Sequence, residues 1–166
     1  MRNRKASCFV VTLLLILAGA GTRHGLAQDS RPCFTLASLK GSYSMIGTYG
    51  ANVAIALAKR YVDREGNLTG AFLVNEPTPG STTGARSIIT GSQTGTISVN
   101  CDGTGVITRV LTVGGVQTTQ MDDFVITEAT ISDGELIATK VVDAQRTPSA
   151  IVAGGIFLTR TWTRVP

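Results

Sequence analysis

The sequence predicts an all-β chain, a single antiparallel β-barrel of about 8–9 strands. Two observations carry that expectation. Apolar and polar residues alternate with a period of two through most of the chain beyond residue 37, which is the spacing of a strand with one buried face. Turn pairs such as Asp102-Gly103, Gly114-Gly115 and Asp133-Gly134 interrupt that alternation at short, regular intervals. Closure into a barrel is preferred to the alternative, a two-sheet β-sandwich, because it leaves no exposed edge on a Thr- and Val-rich sheet.

The strands follow in order. Ser42–Tyr49 sets Tyr43, Met45, Gly47 and Tyr49 against Ser42, Ser44, Ile46 and Thr48. In Val53–Asp63 the residues Val53, Ile55, Leu57, Lys59 and Tyr61 share one face, and Ala54, Ala56, Ala58, Arg60 and Val62 the other. Its alanines would suit a helix, but the branched and aromatic residues fall on one period-two face, so a strand is expected. The turn Arg64-Glu65-Gly66-Asn67 leads into Asn67–Asn75, with Asn67 expected to supply the turn conformation. Pro77–Gly84 is the one loop of real length. Beyond it come Arg86–Thr90, Gly95–Cys101, Gly105–Val113, Val116–Ile131, Glu135–Asp143 and Ile151–Arg164. Asp133-Gly134 is a type I′ hairpin signal.

The 15 Lys and Arg against 11 Asp and Glu suggest a basic protein, and the distribution removes that impression. Residues 1–27 hold Arg2, Arg4, Lys5 and Arg23 with no acid, so the remainder carries eleven of each sign. Those 27 residues read as a cleaved secretory signal peptide: a positive Met1–Ser7, an apolar Cys8–Leu17, then cleavage-compatible Ala18-Gly19-Ala20 and Gly25-Leu26-Ala27. The apolar run is too short for a membrane span. Residues 28–37 are then a lead-in and 38–166 the barrel domain. Secretion or delivery to a periplasm is the expected localisation.

A neutral mature chain gives electrostatic binding of nucleic acid or anionic membrane no support. Its one histidine, His24, leaves with the leader, and with it any histidine metal site or His-dependent triad. No metal and no cofactor are expected, and no integral membrane segment after cleavage. Eight aromatics and the ending Arg164-Val165-Pro166 do not suit the girdles of an outer-membrane barrel. Cys33 and Cys101, in an oxidising compartment, are expected to form a disulfide closing 68 residues.

Leu39-Lys40-Gly41-Ser42-Tyr43, then Asp63-x-x-Gly66-Asn67-Leu68-Thr69-Gly70, then the run from Gly95 to Gly105 (GTISVNCDGTG) come in a characteristic order. In these motifs the chain resembles a group of small secreted bacterial proteins of unassigned function. The resemblance implies a closed barrel similar to the allene oxide cyclase and dirigent type, themselves lipocalin-like. It departs from the group's pattern at Arg64-Glu65, at the order Cys101-Asp102 and at Ile97, and it implies no catalytic residue.

The candidate sites are few. Tyr43, Met45, Tyr61, Phe72, Val99, Phe124, Ile126, Val141 and Phe157 are expected to face the lumen. Tyr43, Tyr61, Phe72, Phe124 and Phe157, with Trp162, are the candidate contacts for a small apolar ligand held there. Leu158, Arg160, Trp162 and Arg164 share a face of the last strand, with Trp162 expected at the barrel floor beneath two solvated arginines. The opposite face, Thr159, Thr161 and Thr163, is a candidate sheet edge. Asp122 and Asp123 are expected on opposite faces of a strand, as a solvated turn or edge, and Glu76 on the surface. Three functions follow: a non-enzymatic binder of a small apolar ligand, an extracytoplasmic structural or interaction module, or a cyclase- or isomerase-like enzyme by fold analogy. The last would use Glu128 or Tyr61.

Overall fold

A computed structural model of the chain describes residues 32–49, 54–149 and 157–166. The expected signal segment, the start of the expected lead-in, Val53 of the second expected strand and residues 151–156 of the last lie outside the described residues. Eight strands form one closed antiparallel barrel: β1 (Gly41–Tyr49), β2 (Ala54–Val62), β3 (Asn67–Pro77), β4 (Arg86–Val99), β5 (Thr104–Val113), β6 (Val116–Ser132), β7 (Glu135–Gln145) and β8 (Leu158–Arg164). Each pairs with the next, and β8 pairs back with β1 from Tyr43↔Arg164 to Tyr49↔Leu158. That closing ladder excludes the sandwich. It also overturns the expectation of an edge at Thr159, Thr161 and Thr163, because β8 is paired on both sides.

Two of the nine expected strands are one. β4 runs unbroken through Gly91-Ser92-Gln93-Thr94-Gly95, which the sequence read as an interruption. Both glycines are there for close approach. A Cβ on Gly91 would stand 2.5 Å from the Phe72 ring and from the Thr112 carbonyl oxygen, and one on Gly95 would strike the Thr108 carbonyl. The hairpin signal Asp133-Gly134 holds as read, with φ of 50° and 79°. At the β2–β3 turn the left-handed residue is Gly66, not Asn67. Asn67 instead donates its Nδ2 to Asp63 Oδ2 (2.8 Å), while Asp63 Oδ1 accepts from the backbone N–H of Glu65 and Asn67.

One end of the barrel is plugged. The single-turn helix α1 (Leu36–Leu39), absent from the strand-and-turn reading, puts Leu39 into the core. Phe34 and Leu36 pack against that core as well. The Cys33–Cys101 disulfide and the Phe34 N–H bond to the Cys101 carbonyl tie this segment to the β4–β5 turn. Arg164 fastens it from the other side, donating to the carbonyls of Lys40, Ser38 and Ala138 and to the Tyr43 hydroxyl. Among the described residues no helix is long and apolar enough to cross a membrane.

The face that β2 buries is the reverse of the expected one. Ala54, Ala56, Arg60 and Val62 point inward, and Ile55, Leu57 and Tyr61 stand on the outside. The lumen is narrow and already holds Tyr43, Phe72, Trp162 and long polar side chains, so this strand contributes small residues where its neighbours contribute large ones.

Candidate functional site

The middle of the lumen is charged. Arg60 on β2, Arg109 on β5, Asp122 on β6, Asp143 on β7 and Arg160 on β8 are all buried, with Gln93, Gln120 and Gln145 beside them. Each occupies the inward phase of its strand, and the three arginines are flanked at i±2 by apolar residues, as in Ile107-x-Arg109-x-Leu111 and Leu158-x-Arg160-x-Trp162. Asp143 accepts from three donors. Its Oδ1 takes Arg160 Nε at 2.5 Å, and its Oδ2 takes Arg60 Nη1 at 3.0 Å and Trp162 Nε1 at 2.6 Å. Asp122 accepts from Arg109 Nε at 2.5 Å and Nη2 at 3.1 Å, with Arg160 Nη2 2.5 Å from its Oδ1 as a further ion pair. Arg160 thus bridges the two carboxylates. Arg109 also donates to the side-chain oxygens of Gln93 and Gln120. The Arg60 guanidinium lies over the Trp162 ring, 4.1 Å from its centre.

These groups fix one another's charge. Burial alone would raise the Asp122 carboxyl, but the charges of Arg160 and Arg109 outweigh it and hold it below the usual carboxylate range. Burial pulls Arg60 down. Asp143 partly offsets that, Arg109 and Arg160 add to it, and the guanidinium ends at about 9, still charged at neutral pH. A carboxylate shared between guanidiniums is a weak base, and little space adjoins it. The void among Arg109, Gln120, Gln145, Arg160 and their apolar neighbours measures about 20 Å³, room for about one water.

The six candidate ligand contacts separate. Tyr43, Phe72, Phe124 and Trp162 are buried inside the barrel, where Tyr43 and Trp162 meet edge to face with ring centres 5.8 Å apart. Tyr43 donates its hydroxyl to the Leu39 carbonyl, and burial, partly offset by Arg164, pushes that phenol up to about 12. Tyr61 and Phe157 are corrections: Tyr61 is 47% exposed on the outer wall, on the opposite strand phase to Arg60, and Phe157, 52% exposed, stands just ahead of β8, which begins at Leu158. Met45, Ile126 and Val141 face inward as expected, and Val99 is half-buried against the core.

The carboxylates are corrected too. Asp122 and Asp123 do point to opposite faces, but only Asp123 is solvated, pairing with Arg146; Asp122 is in the lumen. Glu76 is buried rather than on the surface, and Glu128 is exposed and paired with Lys140. Arg160 is not solvated but enclosed. The sequence carried a readable signal for part of this: Arg60, Arg109 and Arg160 each stand between apolar residues at i±2 of a strand. Among the described residues no group of three or more His, Cys, Asp or Glu is placed to hold a metal ion.

A much larger hollow, about 720 Å³, lies on the outside of the wall across β8, β1, β2 and β3. Cross-strand register explains its composition. One row reads Thr161, Ile46, Leu57, Leu73 and the next Thr163, Ser44, Lys59, Ala71. Ile46 and Leu57 are 58% and 47% exposed, while Ser44 and Ala71 are too short to fill the space between rows. Lys59 is the only charged residue lining it and makes no ion pair among the described residues.

Compared with protein-family models, curated proteins and solved structures, the chain matches none.

Proposed function

We propose that the chain is an exported, non-enzymatic barrel that binds an amphiphile, an apolar molecule with an acidic head, on its outer wall rather than in its lumen. The observation that carries this reading is the contrast between the two spaces. The lumen is packed and ion-paired around a water-sized void, whereas the outer hollow has the volume of a small-ligand site, an apolar row and one cation, Lys59, that makes no ion pair among the described residues. An acyl or aromatic body would cover Ile46, Leu57 and Leu73, and its head would reach Lys59, with Ser44, Thr161 and Thr163 offering hydroxyls at the rim. The leader-like residues 1–27 and the Cys33–Cys101 pair support export to an oxidising compartment.

The test is titration of the folded mature protein with a fluorescent fatty-acid analogue. Binding is saturable in the wild type. Leu57→Asp weakens it at least tenfold without moving the melting temperature, because the residue is exposed. Lys59→Glu weakens the acid but not the matching fatty alcohol. Equal binding by wild type and Leu57→Asp refutes the reading. A wild type that self-associates where Leu57→Asp does not, with no uptake of probe, makes the face a contact between copies instead, and the chain an interaction module.

A further inference from the structure

The luminal cluster does not balance. Arg60, Arg109 and Arg160 bring three positive charges, and Asp122 and Asp143 bring two negative ones, all enclosed. An uncompensated charge at such depth is costly unless a partner is supplied. A guanidinium does not supply one by losing its proton at neutral pH. Glu76, a third buried carboxylate on the inward phase of β3 with Phe72 and Val74, leaves its own Oε2 unpartnered; it forms no ion pair among the described residues and does not line the void, so the imbalance is local to the void. It sits in register with Ser87, where the Pro77–Gly84 loop begins.

The donors are in surplus as well. Arg60 Nε and Nη2, Gln93 Nε2 and Gln120 Nε2 are buried with no hydrogen-bond acceptor, while Arg160 Nη2 has only its ion pair with Asp122. One of these, Gln120 Nε2, belongs to a residue lining the void of about 20 Å³, where the charged side chains of Arg109 and Arg160 join it. The acceptors nearby are already engaged. Gln120 Oε1 takes Arg109 and Gln145, Gln145 Oε1 takes the Leu158 N–H, and both Asp122 oxygens face Arg109 or Arg160. A water placed there would meet donors and bring no charge.

We propose that this void is a built-in site for one monatomic anion of about water's size, a halide such as chloride, held by Arg109, Arg160 and Gln120. The anion supplies the missing negative charge, accepts the orphaned Gln120 Nε2–H, and completes the core as a permanent part of the fold. Met45, Ala56, Phe72, Val74, Leu111 and Leu158 close the remaining sides and exclude polyatomic anions by size.

The experiment measures denaturant unfolding of the full mature protein at constant ionic strength, with chloride, bromide or gluconate as the anion. With chloride or bromide the folding equilibrium constant rises about tenfold for each tenfold increase above the dissociation constant. In gluconate it stays flat. A crystal grown in bromide shows one anomalous peak within hydrogen-bond distance of Arg160 and Gln120. Gln120→Glu supplies the charge covalently, so that variant loses the halide response and keeps its stability in gluconate. Equal stability in all three salts, or a bromide crystal with only water in the void, overturns the proposal. If Gln120→Glu does not fold, the wild-type salt series and the bromide peak decide.

Discussion

Asp143 satisfies three donors with two oxygens. Replacing it by Asn leaves Arg60 and Arg160 short of a countercharge in a place water does not reach. Asp143→Asn is therefore expected to lower stability by about 3–5 kcal/mol in urea unfolding. Asp123→Asn, which breaks an exposed pair with Arg146, is expected to change it by less than about 1 kcal/mol. The contrast separates an enclosed ion pair from a solvated one on the same barrel. It also shows why single residues were hard to place from sequence. Aspartates 122 and 123 are adjacent and chemically identical, and only strand phase, set by the whole β5–β6–β7 register, sends one inward.

At the scale of elements, the plug and the closing strand depend on each other. The N-terminal segment Cys33–Leu39 has too few residues to hold itself together, since a single helical turn is unstable alone. The disulfide to Cys101 and the Arg164 bonds to the Ser38 and Lys40 carbonyls hold it against the barrel end, where Arg164 also bonds Ala138 and Tyr43 of the wall. Removing the tether with the double substitution Cys33→Ser and Cys101→Ser is expected to cost about 4 kcal/mol on the chain-entropy model for a loop of this length. Chemical denaturation of the oxidised wild type against that variant measures it. An unchanged midpoint would mean that Arg164 and the packing of Phe34 and Leu36 suffice. Turn chemistry was legible at this scale, because Asp133-Gly134 and the Asp63 turn are specified by a few adjacent residues. The continuity of β4 was not, because the reason for Gly91 and Gly95 lies in Phe72 and in strand β5.

For the whole molecule, the charged lumen makes stability depend on pH in one direction. The folded Asp122 carboxyl lies below its ordinary value, so its contribution is fully present above about pH 4. It is lost as pH falls through the folded value, when Arg109 and Arg160 lose part of their countercharge. Asp63 and Asp102, held low first by side-chain bonds from Asn67 and Thr104, add to the same trend from the surface. Unfolding free energy measured from pH 7 to pH 2 is therefore expected to be level down to about pH 4 and to fall below it. Asp122→Asn, less stable throughout, is expected to show a shallower fall. An acid limb of the same slope in both proteins would place the titrating group elsewhere.

What the amino-acid sequence determined by itself is the local and periodic part of this protein: strands, turns, the antiparallel barrel class and the pairing of its last two cysteines. Those properties arise from residues near one another in the chain, or from the small number of ways two cysteines can pair. The tertiary structure alone decided which face of β2 is inside, that Tyr61 and Phe157 leave the lumen, and that arginines and aspartates enter it. Inside and outside are equivalent for an isolated strand with alternating residues. The choice is made only when eight strands close and their summed side-chain volumes and charges must fit one narrow space. There Ala54, Ala56 and Ala58 leave the room that Trp162 and three guanidiniums occupy, and Leu57, turned outward, joins Ile46 and Leu73 in the hollow on the outer wall.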